Sequence, residues 1–75
     1  MRHSQEILAR FLRQQIEARG FTVATFQIGE QVQLRAIDIA GNERHVSYLE
    51  SEGAEGLHKA TKELARLLGV RVQET

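Results

Sequence analysis

His3, His45 and His58 are the side chains best suited to hold a metal or move a proton, and they fall in three separate stretches of the chain. Neither a His-x₃-His nor a His-Glu-x-x-His spacing occurs, so a metal centre would require all three stretches to converge. Asp38 and His45 are expected to face one another across a tight turn, as a pH-dependent cross-strand pair of a structural kind. Ser4, Ser47 and Ser51 lack the surroundings of a nucleophile elbow. Gly53 and Gly56 are not followed by the Gly-Lys-Ser/Thr that completes a phosphate loop. The chain has no cysteine, which removes thiolate chemistry, disulfides and the usual zinc frameworks. These observations lead us to expect a non-enzymatic protein that uses no metal or cofactor.

Charge offers a second kind of chemistry. Ten basic residues balance ten acidic ones, so any attraction to nucleic acid or an anionic membrane must come from a local patch. Arg2, Arg10 and Arg13 alternate with Glu6, Glu17 and neutral glutamines, the pattern of a solvated helix face. His58, Lys59 and Lys62 form a second basic cluster, which Arg10 and Arg13 would extend if the two helices lie side by side.

The elements that must position these groups follow from hydrophobic period and turn signals. At 75 residues the chain is expected to be a single domain, close to the size at which one core is only marginally stabilising. Apolar residues make up 41% of it, enough for a core. Over residues 4–19, Ile7, Leu8, Phe11, Leu12 and Ile16 make one helical stripe, with Ser4 as N-cap and Gly20 as the terminating glycine. Glu6 and Arg10 are spaced as an i, i+4 ion pair. Residues 21–49 alternate and carry two candidate two-residue hairpin turns, Gly29-Glu30 and Gly41-Asn42. With both turns in place, Ala24, Phe26, Ile28, Ile37, Ile39, Val46 and Tyr48 share the face expected to meet the helices. The opposite face then carries Phe21, Val23, Thr25, Gln27, Val32, Leu34, Ala36, Asp38, His45, Ser47 and Leu49. A loop over 51–56 leads to a second helix that buries Leu57, Ala60, Thr61, Leu64, Ala65 and Leu68 and stops at Gly69. The alternation of Val70, Arg71, Val72 and Gln73 suits either a short edge strand or a tail.

The order helix, three antiparallel strands, helix resembles the double-stranded RNA-binding domain. The run His58-Lys59-Ala60-Thr61-Lys62, continued by Leu64, Ala65 and Leu68, is similar to that family's basic helix start. The resemblance implies cations one turn apart straddling phosphates across an RNA groove, with His58, Lys59, Lys62, Arg10 and Arg13 as the contact set. Several positions depart from the family pattern. His58 stands in place of a lysine and Thr61 in place of an alanine, and Ile28-Gly29-Glu30-Gln31 lacks the Gly-Pro-x-His loop. Glu52 and Glu55 add negative charge where a phosphate would sit.

The expected fold is therefore a two-layer α+β domain, α-β-β-β-α, with both helices on one side of a three-stranded meander. The expected function is protein–protein interaction, as a homodimer or with a protein partner, through an open sheet face of Val23, Val32, Leu34, Ala36 and Leu49. Double-stranded RNA binding is the alternative. No stretch reads as a signal peptide or membrane span, and with no cysteine present we expect a cytoplasmic protein that does not associate with membranes.

Overall fold

Helix α1 (Arg2–Ala18) opens the chain in the computed structural model, which describes residues 2–71. The helix starts ahead of Ser4, which therefore lies in its first turn and not at its cap. Past Ala18, the Gly20 N–H donates to the Glu17 carbonyl at 3.0 Å, a closure that needs the left-handed φ of 95° that glycine supplies without strain. An i, i+4 ion pair on this helix joins Arg13 and Glu17 at 3.7 Å. The expected five-residue apolar stripe is split. Leu12 and Ile16 are buried together with Ala9, whereas Ile7, Leu8 and Phe11 remain substantially exposed. At about 100° per residue, Ile7 and Phe11 point away from the 9/12/16 row that meets the rest of the fold.

Three antiparallel strands follow in the order β1 (Thr22–Ile28), β2 (Gln31–Ile37) and β3 (Glu43–Leu49). The first turn is the expected two-residue one. Ile28 opposes Gln31, and Gly29 takes φ 61° at the position where a Gly-X hairpin demands a positive value. The second connection is longer than the expected Gly41-Asn42 turn. Ile37 opposes Glu43, so residues 38–42 all belong to the loop. Asp38 and Asn42 hold it: each backbone N–H reaches the other residue, and the Asn42 side-chain amide donates to Asp38 Oδ2 at 3.0 Å. The Asn42 side chain first, and then its backbone N–H, keep the Asp38 carboxyl below its ordinary value.

That longer loop changes the faces. The pairing of β3 shifts by three residues, an odd number, so every β3 side chain moves to the other side of the sheet. His45 lies opposite Arg35 and not opposite Asp38. Val46 and Tyr48 join Val23, Leu34 and Ala36 beneath the helices. The face expected to be open is thus the core face for β1 and β2, and the expected core face is the open one.

A 3-10 turn (Glu50–Glu52) leads directly into α2 (Gly53–Leu67), so the expected 51–56 loop is largely helical. Helix α2 buries Ala60, Thr61, Leu64 and Ala65, while Leu57 and Leu68 are partly covered. Thr61 satisfies its buried hydroxyl by donating to the Leu57 carbonyl at 2.7 Å. At the far end the Gly69 N–H bonds the Arg66 carbonyl and the Val70 N–H bonds that of Ala65, at 3.1 and 2.9 Å. Those two bonds make a Schellman closure, and the buried Val70 supplies its apolar contact. Residues 72 and 73 of the candidate C-terminal strand lie outside the described residues. Both helices cover the same side of the sheet, and the result is a slab with Cα extents of 35 × 32 × 14 Å.

Candidate interaction surfaces

Val23, Val32, Leu34 and Ala36, expected on an open face, are core residues between the sheet and the helices. Leu49 alone of that set is exposed, at 49%, and its side chain lies on the uncovered side. Around it the uncovered face presents Ala24, Phe26 and Ile28 from β1, then Gln31, Gln33, Arg35 and Ile37 from β2, then Glu43, His45 and Ser47 from β3. Its large apolar groups stand in solvent: Phe26 at 47%, Ile28 at 78% and Ile37 at 38%.

The polar residues of this face are engaged mainly with one another. Arg35 Nε donates to Gln33 Oε1 at 2.7 Å, its guanidinium lies 3.8 Å from Glu43, and it sits 4.9 Å over the Phe26 ring. Gln31 Nε2 donates to Ser47 Oγ at 3.3 Å. A face whose polar groups already have partners loses less on being covered than one whose groups depend on water. Sequence reasoning missed Phe26, Ile28 and Ile37 as surface residues because the face was decided by counting large side chains. The aspartate, glycine and asparagine at 38, 41 and 42 were the available sign of a longer turn.

The basic residues do not gather into one patch. Lys59 and Lys62 lie on the exposed side of α2, where Glu63 pairs with Arg66, and His58 is partly buried beside them. Arg10 and Arg13 instead line a groove between α1 and β1, together with Glu6. Arg13 is held there by its bond to the Val23 carbonyl, 2.9 Å. The start of α2 is acidic. The Glu50 N–H bonds the Glu30 carbonyl, joining the first hairpin turn to the 3-10 turn, and Glu50, Glu52 and Glu55 follow one another there.

The groove is a cavity of about 320 Å³ with Ala9, Val23, Leu34 and Leu57 among its apolar walls. A second cavity of about 360 Å³ adjoins it toward Gln27 and Glu50, and Glu6, Thr25, Tyr48 and Leu57 border both. Burial first, and the nearby Glu50 carboxylate second, raise the Tyr48 hydroxyl above its ordinary value of 10.0. A folded-state value above the unfolded one means that the neutral hydroxyl's contribution is complete below the ordinary value and is lost as pH rises through the raised one. Denaturation midpoints followed from about pH 8 to 11 should therefore fall at the alkaline end, and Tyr48→Phe should flatten that fall.

Among the described residues no group of three or more His, Cys, Asp or Glu side chains could hold a metal ion. Among them, too, no helix is long and apolar enough to cross a membrane. The chain matches no protein-family model, no curated protein and no solved structure.

Proposed function

We propose that this domain is a non-enzymatic protein-interaction module that pairs with a second copy of itself through the uncovered sheet face. The observation that carries this reading is the exposed set Phe26, Ile28, Ile37 and Leu49 on a face where Gln31 bonds Ser47 and Arg35 engages Gln33 and Glu43. Three seven-residue strands make a face of about 14 by 23 Å, roughly 300 Å² in flat projection. That flat area is well under the ~800 Å² per partner of a standard interface, which favours a weak, reversible dimer. The reading includes a cytoplasmic location, with which a cysteine-free chain is compatible.

Double-stranded RNA binding draws less support. Glu30, Glu50, Glu52 and Glu55 occupy the end of the molecule where the resemblance would put phosphate contacts, and Arg10 and Arg13 are turned to the groove beside β1. Sedimentation equilibrium over about 1 to 200 µM protein tests the proposal, and a duplex RNA of about 20 base pairs added at low and physiological salt tests the alternative. We expect a concentration-dependent dimer that ignores RNA. Ile28→Lys should shift it to monomer, while Phe11→Lys on the outside of the helix layer should leave it dimeric. A wild-type protein that stays monomeric throughout, or a dimer broken by Phe11→Lys and not by Ile28→Lys, overturns the sheet-face reading. A complex with RNA that dissolves at higher salt would establish the alternative instead.

A further inference from the structure

We infer that the outer edge of β1 and the groove beneath α1 form a docking site for an extended segment of a partner protein, which adds to the sheet antiparallel to β1. The inference does not depend on sheet-face dimerisation, because the groove opens between the helix layer and the strand edge.

The first support is the direction of the main chain. In a two-residue hairpin the flanking residues, here Ile28 and Gln31, exchange hydrogen bonds, and hydrogen-bonded pairs then alternate along the ladder. Val23, Thr25 and Gln27 fall on the other alternation, so their N–H and C=O groups point away from β2. The bond from Arg13 to the Val23 carbonyl agrees with that direction. No strand flanks β1 on this side among the described residues.

The second support is the contrast with the other edge. The same alternation turns the main chain of Glu43, His45, Ser47 and Leu49 outward on β3. Both ends of that row are closed by side chains. Arg44 Nη1 donates to the Glu43 carbonyl at 2.9 Å, and Glu52 Oε1 accepts from the Leu49 N–H at 2.8 Å. Capping of this kind blunts an edge against further pairing. On β1, among the described residues, only the Val23 carbonyl is held in this way, by an arginine that a guest N–H could replace.

The third support is the groove. The residues with outward main chain, Val23, Thr25 and Gln27, are also those whose side chains face the helices, and the adjoining cavities of about 320 and 360 Å³ run beside them. A strand added to this edge would send every second side chain into that space. Ala9, Leu34 and Leu57 would meet apolar guest side chains, while Arg10 and Arg13 on the α1 wall would favour an acidic one at the Val23 end. A second copy pairing edge to edge would bring its own α1 over the same edge, with its own Glu6, Arg10, Arg13 and Glu17 competing for the groove. The occupant is therefore a single extended chain with alternating apolar residues and one acidic residue.

The test uses the full chain and a fluorescein-labelled, end-blocked heptapeptide of alternating valine and threonine, with glutamate in place of the valine nearest its C-terminus, the end that meets Val23 in antiparallel pairing. Its control is the same peptide N-methylated at every amide, which leaves no N–H on either edge to pair as a strand. Fluorescence anisotropy should show saturable binding of the first peptide only, and hydrogen exchange should show new protection at the Thr25 and Gln27 amides. Thr25→Pro removes an outward donor from an edge strand, where proline is tolerated, and should weaken binding by about tenfold or more. Thr25→Trp, which fills the groove without altering the main chain, should do the same. Arg13→Gln should erase the preference for glutamate over glutamine in the peptide. Absent binding, equal binding of the N-methylated peptide, protection on β3 in place of β1, or concentration-dependent protection of β1 without peptide would each overturn the proposal.

Discussion

Leu34→Lys is expected to unfold the domain, whereas Ile28→Lys, six positions earlier in a neighbouring strand, should leave its unfolding transition nearly unchanged. Leu34 is 3% exposed and packs with Ile16, Val23, Ala36, Ala60 and Leu64. A lysine there would lose the leucine's burial, worth about 2 kcal/mol, and would also place an ammonium among aliphatic groups with no acceptor built to receive it. A buried unpaired charge costs about 3–5 kcal/mol. A domain of this length holds roughly 4–11 kcal/mol in total, so the combined loss consumes most or all of it. Ile28 is 78% exposed, and at protein concentrations low enough to keep the wild type monomeric a lysine there replaces one solvated side chain by another. Urea denaturation followed by circular dichroism separates the two: a missing cooperative transition for Leu34→Lys, and a midpoint close to the wild type for Ile28→Lys. A folded Leu34→Lys variant would show that the two faces of the sheet have been assigned the wrong way round.

The same pair of residues shows what the sequence could and could not convey. Element order was legible because its signals are local: Gly20 and Gly69 stop helices through their own left-handed φ, and Gly29 makes a hairpin through its own. The pairing of β1 with β2 was legible for the same reason. The pairing of β2 with β3 was not, because it depends on Asp38 and Asn42 closing a five-residue loop in preference to Gly41 and Asn42 forming a tight one. Both closures suit the same residues locally. Choosing between them requires knowing that Val46 and Tyr48 gain burial only when they share a side with Leu34 and Val32. The five residues first expected at the interface were therefore right as a set of large or aliphatic strand residues and wrong in direction, Leu49 excepted. The groove beside β1 had no sequence signal, since it arises from how α1 sits above the sheet. Arg10 and Arg13 were noticed as cations, but their role as its wall becomes visible only in three dimensions.

Gly56 provides a sharper test of the packing between α2 and the sheet. Local reasoning says that glycine inside a helix is a defect, and that Gly56→Ala should stabilise by about 1 kcal/mol. The surroundings say the opposite. A Cβ at this position would lie 2.5 Å from Glu52 Cβ and 2.9 Å from the Tyr48 ring, both inside normal contact distance. Neither neighbour gives way cheaply. Glu52 Cβ is tied to the backbone at the helix start, and its carboxylate is committed to the Leu49 N–H. Tyr48 is held by the core cluster on one side and by β2 on the other. Relief would require α2 to lift from β3 along its first turn, and strain of this kind costs typically 1–3 kcal/mol. We therefore expect Gly56→Ala to be net destabilising, and Gly56→Val, which adds two further methyl groups toward the Tyr48 ring, to be worse. Tyr48→Phe alone should not relieve the clash, since the contact is with the ring and not the hydroxyl, whereas Tyr48→Ala in the Gly56→Ala background should recover part of the loss through a positive coupling in a double-mutant cycle. If Gly56→Ala raised the denaturation midpoint instead, the close approach of α2 to β3, and with it the floor that Tyr48 gives the groove, would be wrong.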